Sequence, residues 1–447
     1  MSSVLASRAA DPADLVIRGA RVVDPRAEIG EPRDVVVRGG EIAELAGAGE
    51  APNPEGAEVV EAEGMLVTPA FVDPHVHLRV PGQEHKEDLE TGTRAAAAGG
   101  YCAVVAMANT SPPIDSASVL GSVRELAEQE AAIPTGFVAT VSRGMAGEEL
   151  TEMAELRDAG AVGFSDDGLP VANARVLRRA LQYQRLAGGV IALHEEDPDL
   201  SRDGVMHEGE VSALLGLAGI PGSSEATMIA RDCALALDEG ARVHVQHLSA
   251  RASVEAIAAA KEAGAQVTCE ATPHHLVLTD EEVRSLDARF KMNPPLRAED
   301  DRLALIEGLR DGTIDCVATD HAPHALEEKE VPFEQAAMGV TGLETAFAVL
   351  HTELVLPGTL PLELVVERMT AGGEPFGIPA PRIEPGAPAN LALIDSDQEW
   401  TVGAEGYESR SENSCFAGRE LTGRVLMTVA AGAVAYRQRS FAMGVAE

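Results

Sequence analysis

Between about residues 69 and 324, short apolar runs that close on polar residues alternate with longer stretches rich in Ala, Leu, Arg and Glu. The runs are "AFVDPHVHL", "CAVVAMANT", "TGFVATV", "VGFSDDG", "VIALHEED", "VHVQHLSA", "VTCEATPHHL" and "CVATDHAPH". The stretches between them include "DLETGTRAAAAGG", "SVLGSVRELAEQEAA", "ARVLRRALQYQRLAG" and "SVEAIAAAKEAG", all built from good helix formers. Eight strand–helix units over roughly 300 residues predict a parallel (β/α)8 TIM barrel. A doubly wound open sheet is the competing arrangement, but no Gly-rich dinucleotide fingerprint opens the first unit.

The two ends of the chain have a different texture. "DLVIRGARVVD", "DVVVRGGEIAEL" and "EVVEAEGMLVT" near the start, and "ANLALIDSD", "EWTV" and "GRVLMTVAAGAVAYR" near the end, alternate apolar and polar positions and are cut by Gly, Pro and Asp. Chain termini often lie close together, so the two β segments are expected to form one small β-sandwich. The expected division is residues 1–67 for its N-terminal part, 68–380 for the catalytic barrel and 381–447 for its C-terminal part.

Composition narrows the function. The 447 residues carry a net charge of -37, with 72 acidic against 35 basic residues, which excludes a nucleic-acid binder that works by neutralising phosphates. An anionic ligand then needs a local basic pocket. The only lysines are Lys86, Lys261, Lys291 and Lys329, a scarcity that a salt-rich cytoplasm favours. No apolar run reaches the ~18 residues of a membrane span, and no basic segment followed by an apolar core opens the chain. The five cysteines are scattered and never form a C-x-x-C pair, as expected of reduced thiols in the cytoplasm.

A barrel gathers the C-terminal ends of its strands at one mouth, so the polar residues closing the runs become a single candidate cluster. His75 and His77, two apart on a strand, face the same way and suit a shared metal ion, although an exposed polar strand has the same pattern. His194 and His247 each close a run, as Asp320 does. "VGFSDDG" closes on Asp166 and Asp167, either of which is a turn residue or a ligand. Four histidines and two aspartates without a thiolate suit a hydrolytic metal pair with places left for water and substrate. His244 is out of phase with His247 and reads as structural. His274 and His275 point apart and neither is assigned as a ligand. Arg79 continues the His75–His77 face and suits a ligand carboxylate. Asn109 and Asn293 are equally readable as turn residues. Lys86 reads as a solvated charge, and Glu195, Glu196 and Asp197 as a loop cluster with one member behind a ligand.

These residues sit in longer stretches that resemble bacterial class I dihydroorotases, of the metal-dependent amidohydrolases. The marks are "GTRAAAAGG", "MANTSPPID", "FSDDGLPV", "GLAGIP", "VTCEATPHHL", "KMNPPLR", "ATDHAPHALEEKEVPFEQA", "GVTGLET" and the closing "ESRSENSCFAGRELTGRV". The resemblance spans nearly the whole chain. It implies a barrel with a sandwich from both chain ends and the reversible, zinc-dependent cyclisation of N-carbamoyl-L-aspartate to (S)-dihydroorotate in pyrimidine biosynthesis. It implies one or two zinc ions, two favoured: His75 and His77 on one, His194 and His247 on the other, Asp167 bridging, and Asp320 as both ligand and general acid/base. It further implies a substrate site of His77, Arg79, Asn109 and His324, with Asn293 and the backbone of Met338 and Gly339 on the ring. A homo-oligomer is implied, and a complex with aspartate carbamoyltransferase is compatible; some relatives are inactive scaffolds for that enzyme. Other cyclic amidases bridge their metals with a carboxylated lysine, and no lysine lies between Lys86 and Lys261. Two departures are "MANT", where relatives have Pro after Met, and "HEED", where they have Cys after His.

Overall fold

The structure, a computed structural model, describes residues 4–52 and 56–442. Eight parallel strands run in sequence order around a barrel: β1 (Phe71–Val76), β2 (Tyr101–Ala106), β3 (Thr135–Ala139), β4 (Gly163–Phe164), β5 (Val190–Leu193), β6 (Arg242–Val245), β7 (Gln266–Ala271) and β8 (Cys316–Val317). Every residue of β1, β2 and β3 is buried, because helices cover the outside while side chains fill the inside. That is why these strands read as continuous apolar runs rather than as alternations. The ring closes where β1 meets the chain beyond β8: the His77 amide donates to the His321 carbonyl at 2.9 Å, and Val76 bridges His321 in parallel. Asp73 reinforces the seam, its carboxylate accepting from Thr319 Oγ1 at 2.6 Å and from the His75 amide at 3.1 Å.

The crossover helices follow from local sequence. In Ala174–Ala187 the buried Val176, Leu177, Ala180, Leu181 and Gln184 line one stripe at helical spacing, and Asn173 caps the start by accepting from the Arg175 amide. In Leu89–Ala98 the cap is Asp88, paired reciprocally with Thr91.

The alternating segments at the two ends join into one hydrogen-bonded sheet of eight strands. Leu66–Pro69 is the seam, parallel to Leu15–Val22 and antiparallel to Leu391–Thr401. Ile42, in the strand at one end of the order, and Met427, in the strand next to the other end, share one core with Leu15, Ile17, Val67 and Leu391. Gly39 and Gly40, both at positive φ, make the two-residue turn between Pro32–Arg38 and Glu41–Gly47. The first described residues leave this sheet: Ala6 pairs through both backbone groups with Thr135 at the start of β3. Among the described residues no helix is long and apolar enough to cross a membrane.

Candidate metal centre and active site

Strand ends deliver the cluster. His75 and His77 come from the end of β1, Asp167 from beyond β4, His194 from beyond β5, His247 from beyond β6 and Asp320 from beyond β8; all six are buried. Nε2 of His75 lies 3.4 Å from Asp167 Oδ1 and 3.5 Å from Asp320 Oδ1. Nε2 of His77 lies 3.4 Å from Asp167 Oδ2 and 3.0 Å from Asp320 Oδ1. On the other side, His194 Nδ1 and His247 Nε2 are 2.9 Å apart, and each is 3.7 Å from Asp167 Oδ1. Asp167 thus reaches both sides of the cluster, Oδ2 toward His77 and Oδ1 toward His75, His194 and His247.

The donor set fits a divalent cation. Ligands about 2.05 Å from a tetrahedral zinc stand about 3.3 Å from one another, close to most of these spacings. His75 Nε2 and Asp167 Oδ1 are buried without any hydrogen-bond partner. With the proton of His75 on Nδ1, these two atoms would face each other lone pair to lone pair, a costly arrangement that a proton or a shared cation relieves. The electrostatics agree. Burial opposes charge on His75, yet Asp167, Asp320 and Glu270 hold its pKa well above the ordinary imidazole value. Burial likewise opposes charge on His194, but Asp167 and Glu196 push it up to about 9. Burial is outweighed at Asp167 and Asp320 too, where the facing imidazoles, His75 first, hold both carboxylates below their usual range. The cluster as a whole attracts positive charge.

Neighbouring groups fix which ring atoms face inward. Glu270 Oε1 accepts a hydrogen bond from His75 Nδ1–H at 2.7 Å, leaving Nε2 for a cation. Asn109 Oδ1 does the same for His77 Nδ1 at 2.9 Å. Glu270 also accepts from His244 Nε2 at 2.9 Å and from the His247 amide at 3.2 Å. His244 is thus outside the cluster but tied to it. Sequence reasoning passed over Glu270, although a lone carboxylate inside the apolar run "VTCEA" is a readable signal. It also passed over Gln246, whose amide lies 3.2 Å from His75 Nδ1.

The aspartate pair divides. Asp166 turns away and accepts from the amides of Val141 at 2.8 Å and Ser142 at 3.1 Å, and from the Ser142 hydroxyl. Gly168 completes the turn at φ +85°, and a Cβ there would stand 3.2 Å from Asn109 Nδ2. Arg79, His247 and Asp320 are non-glycine residues at positive φ, strain of the kind that collects at functional sites.

The expected substrate groups are placed unequally. Arg79 is buried, its Nε donating to the Pro323 carbonyl at 3.1 Å. Asn109 and Asn293 stand beside the cluster, the latter with Nδ2 3.4 Å from His194 Nε2. His324 and the Met338–Gly339 peptide are engaged with the protein instead: His324 Nε2 donates to the Met338 carbonyl at 2.9 Å, the Gly339 amide donates to the Lys291 carbonyl at 3.0 Å, and the Gly339 carbonyl accepts from Lys329 at 2.9 Å and Asn413 at 3.1 Å. Lys86, expected as a solvated charge, pairs with Glu328 at 2.8 Å. His274 and His275 are both buried; His275 bonds Thr272 Oγ1 and the Pro294 carbonyl.

A sequence model of the Dihydro-orotase-like family matches residues 64–253. A dihydroorotase of Pelotomaculum thermopropionicum is 47% identical over 426 residues, 95% of this chain and 99% of that one. A dihydroorotase of Anaeromyxobacter dehalogenans is 46% identical over 427 residues, 95% of this chain and 98% of that one. Among solved structures, an L-hydantoinase from Arthrobacter aurescens superposes with a TM-score of 0.83 at 26% identity, covering 94% of this chain and 96% of its own. A dihydropyrimidinase from Brevibacillus agri superposes with a TM-score of 0.81 at 25% identity, covering 95% of each chain.

Proposed function

Because the chain belongs to the dihydroorotase family, we propose that its histidine–aspartate cluster holds two divalent cations, zinc by the donor set, and works on a cyclic amide that carries a carboxylate. The reaction is reversible ring opening of (S)-dihydroorotate to N-carbamoyl-L-aspartate, a step of pyrimidine biosynthesis. The observation that carries this reading is the pair of buried, unpartnered atoms His75 Nε2 and Asp167 Oδ1 among four imidazoles, in a chain nearly half identical to named dihydroorotases.

His75 and His77, with Asp320 beside them, would hold one cation and His194 and His247 the other, with Asp167 available to both. Bound there, such cations would supply a water of lowered pKa and a Lewis acid for the ring carbonyl. Asp320 takes the proton of the attacking water and delivers it to the leaving ring nitrogen. Asn109 has its carbonyl oxygen committed to His77, so its Nδ2 is left to donate to a substrate carboxylate beside Arg79. His324 joins that site by exchanging its Met338 acceptor for the substrate.

Every position at which an inactive scaffold would have lost a ligand is filled, and an aspartate stands where hydantoinase-like relatives carry a modified lysine. The proposal extends to a cytoplasmic homo-oligomer, with aspartate carbamoyltransferase as a partner to be tried by co-purification. Dihydroorotate against dihydrouracil, the same ring without the carboxylate, tests the assignment. Turnover of dihydroorotate is expected to be favoured at least ~1,000-fold, since loss of a paired charge at a built site is costly. Preference for dihydrouracil or a hydantoin overturns it.

A further inference from the structure

We infer that Glu196 is a positioning residue that sets the polarity of Asn293, making that asparagine an acceptor for a substrate N–H. The inference rests on the proposed function and adds a specificity element to it.

An asparagine side chain offers two donors on one side and an acceptor on the other, and its neighbours decide which side faces the ligand. Asn293 Nδ2 lies 2.5 Å from Glu196 Oε2. A glutamate carboxylate only accepts, so at that distance the amide presents its nitrogen to Glu196, and an asparagine oxygen could not sit there. Nδ2 also lies 3.4 Å from His194 Nε2, at the edge of hydrogen-bonding range, so the carboxylate at 2.5 Å decides the orientation. The amide is consequently locked with its nitrogen outward. Its Oδ1 is buried and has no partner.

A buried, unpartnered acceptor beside the histidine–aspartate cluster points to a ligand donor. Both dihydroorotate and its ring-opened form carry ureido N–H groups. Asn109 is the converse case: its oxygen is held by His77, and its nitrogen is left to donate. The two asparagines flank the cluster with opposite polarity, one for the carboxylate and one for the ureido N–H. A hydrogen bond made to a committed acceptor discriminates more sharply than an apolar wall, because a ligand without the N–H leaves Oδ1 unpaired.

The test exchanges the pair. In Glu196→Met the amide is free to turn, and KM for dihydroorotate is expected to rise about tenfold or more with kcat within about threefold. Asn293→Asp alone sets two carboxylates against each other and is expected to lose at least about 100-fold in kcat/KM. Glu196→Gln with Asn293→Asp restores a donor outside and an acceptor inside, and is expected to recover at least about tenfold over Asn293→Asp. A merely structural role would not be rescued by the exchange. The chain has six asparagines, so a 15N-asparagine-labelled sample gives a readable side-chain amide spectrum. One pair, shifted downfield by its carboxylate, should move upfield in Glu196→Met. An exchange variant no better than Asn293→Asp, or an unchanged KM in Glu196→Met, overturns the inference. Should the wild-type chain leave dihydroorotate untouched, the proposed function falls, and the amide spectrum alone decides the orientation: an upfield move in Glu196→Met supports the lock, and an unchanged spectrum overturns it.

Discussion

Glu270 holds His75. Its Oε1 accepts from His75 Nδ1 at 2.7 Å, and its other oxygen accepts from His244 Nε2 at 2.9 Å, all three side chains being buried. Hydrogen bonds and the facing His75 charge outweigh burial and hold its pKa down, to about 2. A carboxylate placed behind a metal ligand fixes the tautomer and makes the ligating nitrogen more basic. Glu270→Gln is therefore expected to weaken metal binding about 10- to 100-fold while the fold persists. Competition against a calibrated zinc chelator measures this, and unchanged affinity would remove Glu270 from the account.

Asp320 is assigned two roles, and one substitution separates them. Asp320→Asn keeps an oxygen near His77, 3.0 Å away in the wild type, but cannot carry the proton. Metal content is expected to stay near the wild-type value while kcat falls by about 100- to 10,000-fold. Turnover at the wild-type rate would show that another group moves the proton.

The aspartates of "VGFSDDG" should behave oppositely. Asp167→Ala removes the carboxylate between the two halves of the cluster, and metal content is expected to collapse. Asp166→Ala leaves the Val141 and Ser142 amides without their acceptor, a stability loss of about 1–3 kcal/mol with metal retained. Metal analysis and urea denaturation on the two variants decide. The reverse pattern would exchange their roles.

Glu87 makes stability depend on pH. Burial tends to raise its pKa, but hydrogen bonds from His321, Ser409 and Thr91 prevail and hold it below the usual glutamate value. A carboxyl with a depressed folded-state pKa gives stability that is fully present above the unfolded pKa, about 4.3, and is lost as pH falls through the folded one. Glu87→Gln is expected to be less stable than the wild type at pH 7 by about 2–4 kcal/mol, and the gap is expected to narrow below pH 4. Denaturant midpoints at several pH values test it; a gap constant down to pH 3 would refute the linkage.

The barrel was readable because its signal is periodic and repeated: eight apolar runs, each closing on polar residues, and a mouth that collects their ends. The same logic brought His75, His77, His194, His247, Asp167 and Asp320 into one cluster. Parity along a strand served less well. His247 sits at φ +32°, beyond the end of β6, so its offset from His244 does not decide where either ring points. Groups that support the cluster were harder to see. Glu270 and Glu196 act through contacts across the barrel, with His75 195 positions away and Asn293 97 positions away, and no local spacing encodes such pairs. Nor does sequence show that the Gly339 carbonyl is held by Lys329 and Asn413.

The central claim is that this cluster is a two-cation site that opens dihydroorotate. The most direct measurement titrates zinc into the chelator-stripped chain and follows bound metal and dihydroorotate hydrolysis on the same samples. Activity absent without metal, rising with occupancy and complete near two equivalents per chain, with Asp167→Ala inactive throughout, is the expected result. Full hydrolysis in the stripped chain, or none with both equivalents bound, would contradict it.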